Sequence, residues 1–424
     1  MSPGVTRLRQ SASVAQAPAA ANSHPRKGGF GRRQGTVAQA TTAGTDCGDT
    51  GIPIDRRRVR PGAAAAMSDR SLDETPADRP RLVYPFPTLP ARAERLEVAP
   101  GVRWLRLPLP YQLNHINLWT LDEDGGFAIV DTGTRTEDAA AIWQDVFAAL
   151  GPGVAPTRVF VTHMHPDHIG MAGWITRKFD VRLWMTRLEY LSCRVMKGDT
   201  GREAPADAIA FYRRAGWSPA AIEAYRVRFG KFGTHIHALP ESYHRLSDGD
   251  ELRIGGHAWR VIVGSGHSPE HACLYSAGQK LLISGDQVLP RISSNVSVNP
   301  IEPDADPLSD WLASLDKLER LVPDDVLVLP SHNEPFRGLH ARLDALASGQ
   351  QKALDRLRRR LAEPRRAIDV FASLFGRAID EADVGLLGMA TGESMACLNH
   401  LLCRGELAVD VDDAGVRWYR ALPG

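Results

Sequence analysis

Thr162-His163-Met164-His165-Pro166-Asp167-His168-Ile169-Gly170 is the stretch on which the reading of this chain turns. Three histidines and one aspartate fall within six residues, directly after the apolar run Arg158–Thr162. That run reads as a strand. A loop leaving a buried strand can turn such side chains to one point. Neutral imidazole and carboxylate are good ligands for Zn²⁺, and the same mixture suits iron or manganese. A His-x-His pair alone reads as readily as a solvated turn. The longer pattern His-x-His-x-Asp-His points to a metal.

Three later positions repeat the arrangement of a polar residue just beyond a β-type run. Val261-Ile262-Val263-Gly264-Ser265-Gly266 leads into His267. Leu281-Leu282-Ile283-Ser284-Gly285 leads into Asp286, and Val326-Leu327-Val328-Leu329-Pro330-Ser331 into His332. Earlier, Ala128-Ile129-Val130 leads into Asp131-Thr132-Gly133. Several strands that deliver polar residues from their C-terminal ends make a convergent site on a rigid scaffold.

The set Asp131, His163-x-His165-x-Asp167-His168, His267, Asp286 and His332 resembles the five sequence motifs of the metallo-β-lactamase superfamily, in the same order, over about residues 96–337. The resemblance implies an α/β (α+β) fold, the αββα sandwich, with metals at one edge. It implies two Zn²⁺ per chain, with iron or manganese as alternatives. One metal would take His163, His165 and His267, and the other Asp167, His168 and His332, with Asp286 between them. Asp131 is expected behind the ligands, steadying their loop. Asp167 is expected to be catalytic as well, orienting the nucleophile. His271 is expected either to support the site from behind or to touch substrate, and a structural role suits it equally.

The implied chemistry is hydrolysis. Two cations lower the pKa of a shared water from about 15.7 to about 7, and the bridging hydroxide attacks a carbonyl or phosphorus centre. Asp286 argues against a true β-lactamase, because those enzymes resemble this pattern but lack the bridging aspartate. Glyoxalase-II-type thioesterases keep every ligand, but their helical glutathione-binding segment is not recognisable here. The tail instead resembles the lactamase-β-2-like group, some of which are single-strand ribonucleases. Sulfur dioxygenases dispense with part of the second site, which is full in this chain. The expected activity is hydrolysis of an ester or thioester of a small anionic molecule. The alternatives are a metal-dependent single-strand endoribonuclease and a non-catalytic winged-helix regulator.

Outward from the site, the chain divides by composition. Residues 1–66 hold ten Lys/Arg against three Asp, a charge of +7 within a total of +1, which leaves −6 for the rest. A mildly acidic body does not suggest non-specific nucleic-acid binding. Phe30 is the only aromatic residue in 1–66, and such a stretch cannot bury a core. It reads as a disordered or mis-called extension ahead of Met67. Residues 67–95 read as an irregular lead-in, 96–337 as the metal-binding domain, and 338–424 as a winged-helix-like domain of helices and a hairpin. A helical insert at about 186–245 reads either as a lid over the metals or as a subdomain with its own small core. Residues 181–245 carry eleven Lys/Arg against six acids, a net of +5 that would favour an anionic substrate. The tail carries twelve of each sign, and its helix 391–404 has Arg404 as its only Lys or Arg, so it reads as a packing or dimerisation element. Homodimerisation fits that reading.

The five cysteines, Cys47, Cys193, Cys273, Cys397 and Cys403, make no Cys-x-x-Cys pair. A sparse, odd set fits a reducing cytoplasm, and no stretch is long and apolar enough to span a membrane. The mass of the native protein is expected to correspond to a chain starting at Met67. A mass that retains residues 1–66 would overturn that expectation.

Overall fold

The computed structural model describes residues 82–110 and 113–423. The expectations for 1–66 and for the opening of the lead-in lie outside these residues, as does Cys47. Seven strands make the first sheet in chain order: β1 (Leu96–Ala99), β2 (Val102–Pro108), β3 (His115–Glu123), β4 (Gly126–Val130), β5 (Ala155–Phe160), β6 (Arg182–Thr186) and β7 (His244–Leu246). The first four pair antiparallel, and β4 to β7 pair parallel. The second sheet holds β8 (Glu251–Ile254), β9 (His257–Gly264), β10 (His271–Ser276), β11 (Leu281–Gly285) and β12 (Leu327–Pro330). Their spatial order is β12-β11-β10-β9-β8, with β11 and β12 parallel.

Period-two alternation sorts the apolar side chains onto two faces of each sheet. Trp104, Trp119, Val130 and Phe160 of the first sheet meet Trp259, Leu274, Ile283 and Leu329 of the second in a shared core. Their neighbours in sequence point outward. Leu105, Leu118 and Ile129 pack beneath α1 (Glu137–Ala148), α3 (Ala172–Phe179) and α4 (Arg187–Gly198), through Trp143, Ile175 and Tyr190. Ile262, Cys273, Leu282 and Val328 pack beneath α7 (Pro307–Leu321) and α8 (Leu339–Arg360), through Trp311, Leu315 and Leu343. The short helix α2 (Pro166–Ile169) carries part of the histidine cluster. The layers are helix, sheet, sheet, helix, so the expected αββα sandwich is the observed one.

The insert departs from expectation. Its remaining helices, α5 (Ala206–Ala215) and α6 (Pro219–Arg228), do not enclose a core of their own. Phe211, Tyr212 and Trp217 join the core beneath α7 and α8, whereas Tyr190 joins the one beneath α1. The aromatic residues are therefore shared between two neighbouring cores. None of their ring contacts among the described residues involves a histidine of the cluster. Aromatic richness reflects packing here, and the expectation of a self-contained subdomain is corrected accordingly.

The tail continues with α9 (Phe371–Phe375), α10 (Val384–Cys403) and the hairpin β13 (Leu407–Val411) and β14 (Arg417–Ala421). α10 starts seven residues earlier than its sequence pattern suggested, because Asp383 caps it by accepting the Leu386 N–H. Its middle, from Thr391 to Leu401, is buried apart from a partly exposed Glu393. Trp217 donates its indole N–H to Thr391 Oγ1 at 2.9 Å, which joins insert to tail. No helix among the described residues is long and apolar enough to cross a membrane.

Trp217 is only 5% exposed, so Trp217→Ala is expected to cost about 3–5 kcal/mol. Met389→Ala, on the exposed side of α10, is expected to change stability by less than about 0.5 kcal/mol. Urea unfolding midpoints check this, and equal midpoints for the two variants would contradict the shared core.

Candidate metal centre

Strand direction explains where the site forms. β4, β5 and β6 run parallel, so Asp131, the His163–His168 loop and the start of α4 emerge at one edge. In the second sheet β10 is antiparallel to both β9 and β11, and β12 is parallel to β11. His267, Asp286 and His332 therefore also leave from a common edge. β5 ends at Phe160, so Val161 and Thr162 lead the chain from strand to His163, where the sequence pattern had carried the strand to the histidine itself.

The structure brings all seven predicted ligand side chains together. His163 Nε2 lies 2.9 Å from His165 Nδ1 and 3.2 Å from His267 Nε2. Asp167 Oδ2 lies 3.7 Å from His168 Nε2 and 3.4 Å from His332 Nε2. Asp286 reaches both trios: Oδ2 is 3.5 Å from His267 Nε2 and from His168 Nε2, and Oδ1 is 3.5 Å from His332 Nε2. The two trios each meet the spacing a metal ion requires, as does the mixed group His163, His168 and Asp286.

The residues present fit divalent cations. His168 Nε2, His332 Nε2 and Asp286 Oδ1 are buried and have no hydrogen-bond partner. Buried polar atoms are seldom left unpaired without a reason. The nitrogen separations in the first trio approach the roughly 3.3 Å edge of a tetrahedron whose bonds are about 2.0–2.1 Å, the usual Zn–N length.

The far sides of the His267, His332 and His168 rings are fixed, which decides that Nε2 faces inward in each. His267 Nδ1 donates to the Asn295 carbonyl at 2.7 Å, and His332 Nδ1 to the His115 carbonyl at 2.9 Å. His168 Nδ1 meets Asp131 Oδ2 at 2.8 Å. Asp131 also accepts the Thr162 N–H and hydroxyl, both at 2.8 Å. It holds a left-handed backbone with φ of 61°, a conformation an aspartate tolerates. Asp131 thus lies behind the ligands and ties their loop to β4.

His271 settles into a role the sequence left open. It is fully buried, stacks on His163 with ring centroids 4.8 Å apart, and accepts the Asp286 N–H on Nε2 at 3.0 Å. It supports Asp286 and is closed off from solvent. Gly285 has to be glycine for this packing. Its φ is +54°, and a Cβ there would sit 2.4 Å from the His271 ring.

Sequence spacing missed three supports. Asn117 in β3 holds the His332 loop, donating from Nδ2 to the Pro330 and Asn333 carbonyls at 2.9 and 2.7 Å. Asn295 supplies the carbonyl for His267. Glu189 in α4 accepts the Met164 N–H at 2.9 Å and the Glu270 N–H at 2.8 Å. None of the three lies in a motif, and each acts on residues distant in sequence.

Charge is divided sharply within the cluster. Burial opposes ionisation of His332, but Asp286 and Asp167 raise its pKa to about 10. Against the same burial, Asp286, Asp167 and Asp131 hold His168 well above the ordinary imidazole value. Asp167 falls to about 2 despite burial, through His168 and His332. Burial and then His267 lower His165 to about 3, and burial with the neighbouring rings lowers His163 far below its ordinary value. Without metal, two imidazolium rings therefore face two carboxylates.

Comparison with known proteins agrees with this geometry. The family model described as metallo-beta-lactamase superfamily matches residues 112–332, and one described as metallo-beta-lactamase-like, C-terminal domain, matches 354–422. A crystal structure of a beta-lactamase domain protein from Burkholderia ambifaria is 41% identical, with a TM-score of 0.73, covering 80% of this chain and 98% of that one. A probable metallo-hydrolase of Bacillus subtilis is 26% identical over 46% of this chain and 66% of its own length. A hydroxyacylglutathione hydrolase of Xylella fastidiosa is 28% identical over 42% of this chain, and the match spans only 47% of that relative.

Metal ligands bind deprotonated, so loading the metal-free protein at pH 7 is expected to release roughly two protons from His168 and His332. Calorimetric titration with zinc in buffers of different ionisation enthalpy measures this. Heats independent of buffer would contradict the charge division.

Proposed function

The chain belongs to the metallo-beta-lactamase superfamily and is a metallo-hydrolase, and we propose that it uses two zinc ions to hydrolyse an ester or thioester of a small anionic molecule. The observation that carries the two-metal reading is the position of Asp286, whose carboxylate faces His267 on one side and His168 and His332 on the other. His163, His165 and His267 would hold one ion, and Asp167, His168 and His332 the other. Bound there, the pair supplies positive charge that polarises a carbonyl and lowers the pKa of water towards neutrality.

The chain's own residues set the rest. Asp167 is more exposed than His168 and His332 beside it, with 17% of its side chain accessible, so it is placed to accept a hydrogen bond from an attacking water. Asp131 and His271 hold the ligand loop and Asp286 against displacement as charge develops. Arg106 supports an anionic substrate. It is half-buried near His115, where its charge acts on the rim of the site. The nearby carboxylate, Glu334, is engaged by Arg291 at 2.9 Å. The thioester preference draws on the relative named for hydrolysing hydroxyacylglutathione.

A panel of acyl thioesters, esters, lactones, phosphodiesters and single-stranded RNA, assayed with zinc-loaded protein, tests this. The expected result is turnover of an anionic thioester or ester, with kcat/KM falling at least about a hundredfold in Asp286→Ala. Turnover confined to RNA, or unaltered activity in a folded Asp286→Ala protein, would refute the proposal.

A further inference from the structure

Glu189 lies in the first turn of α4, outside the ligand set, and is completely buried. Its two oxygens take backbone N–H groups from two different loops. Oε2 accepts from Met164, which stands between His163 and His165, at 2.9 Å. Oε1 accepts from Glu270, which stands between His267 and His271, at 2.8 Å. The junction is reciprocal. Glu270 Oε2 accepts the Leu188 N–H at 2.8 Å, and its carbonyl accepts the Thr186 hydroxyl at 2.7 Å. These donors offset part of the cost of the buried carboxylate, whose pKa burial still pushes up to about 7.

We propose that Glu189 is a positioning residue for the metal centre, a brace that sets the distance between the His163–His168 loop and the His267–His271 loop. The inference rests on the two-metal reading above. It bears chiefly on the trio His163, His165 and His267, because those ligands come from both loops. Asp167 and His168 belong to the first loop and His332 to neither, so that trio does not span the braced gap and depends on the brace less. A carboxylate suits the task because it presents two acceptors on a planar fork and no donor. A glutamine of the same shape presents one acceptor, and its NH₂ would confront the second N–H.

Glu189→Gln therefore separates bracing from space-filling. Zinc affinity is measured by competition with a chromophoric chelator, on wild type and variant. One of the two zinc equivalents is expected to weaken by about 10- to 100-fold, with the other weakened less. Far-UV circular dichroism is expected to remain native. Equal affinities for both equivalents in the two proteins would overturn the proposal. Should the variant fail to fold, amide hydrogen exchange of metal-free wild type decides: the Met164 and Glu270 amides are expected to be protected, and free exchange of either would overturn the brace. A wild type that takes up no zinc contradicts the metal reading instead, and the exchange measurement, made without metal, still decides the brace.

Discussion

Two carboxylates and five imidazoles converge within a few ångströms at one edge of the sandwich, and this crowding is the constraint on which the rest of the structure depends. Charges withdrawn from water are costly unless something compensates them. In the metal-free protein, protonated His168 and His332 offset Asp167 and Asp286, which still leaves buried ring nitrogens without a partner. Cations satisfy the same groups without those protons. The scaffold has to resist the relaxation that would otherwise separate them.

That resistance comes from both sheets. Asp131 at the end of β4 holds His168 and Thr162, and His271 at the start of β10 holds the Asp286 backbone. Asn117 of the first sheet reaches across to the His332 loop of the second, so the sheets are locked together at the rim of the site as well as through their shared core. Indole and phenyl side chains in that core, among them Trp104, Trp119 and Trp259, leave little freedom for one sheet to slide over the other. The tail contributes at one remove: α10 packs on the Asn295–Val298 segment, whose Asn295 carbonyl fixes His267.

Much of this is legible in the sequence. Alternation placed the strands, and the polar residues beyond their C-terminal ends marked His163, His267, Asp286 and His332, because a strand's direction carries its loop to a predictable edge. The layered fold followed from the order of strands and helices, and its αββα form from the resemblance that the motifs carry. Glu189, Asn117 and Asn295 were not legible, since a lone polar residue in a helix or loop carries no mark of the distant backbone group it will meet. The insert misled for a related reason. Phe211, Tyr212 and Trp217 signal burial, but sequence does not say against what, and their partner is a helix more than 160 residues further on. The tail had the same ambiguity: the order of helices and hairpin could be read, whereas the burial of α10 depends on α5, α6 and α7 packing around it.

The central claim is that Asp286 stands between two metal ions. Anomalous X-ray diffraction at the zinc edge, from crystals of the zinc-loaded protein, tests it most directly. Two peaks are predicted, one enclosed by His163, His165 and His267 and the other by Asp167, His168 and His332, with the Asp286 carboxylate between them. A single peak in crystals with zinc in excess would contradict the account.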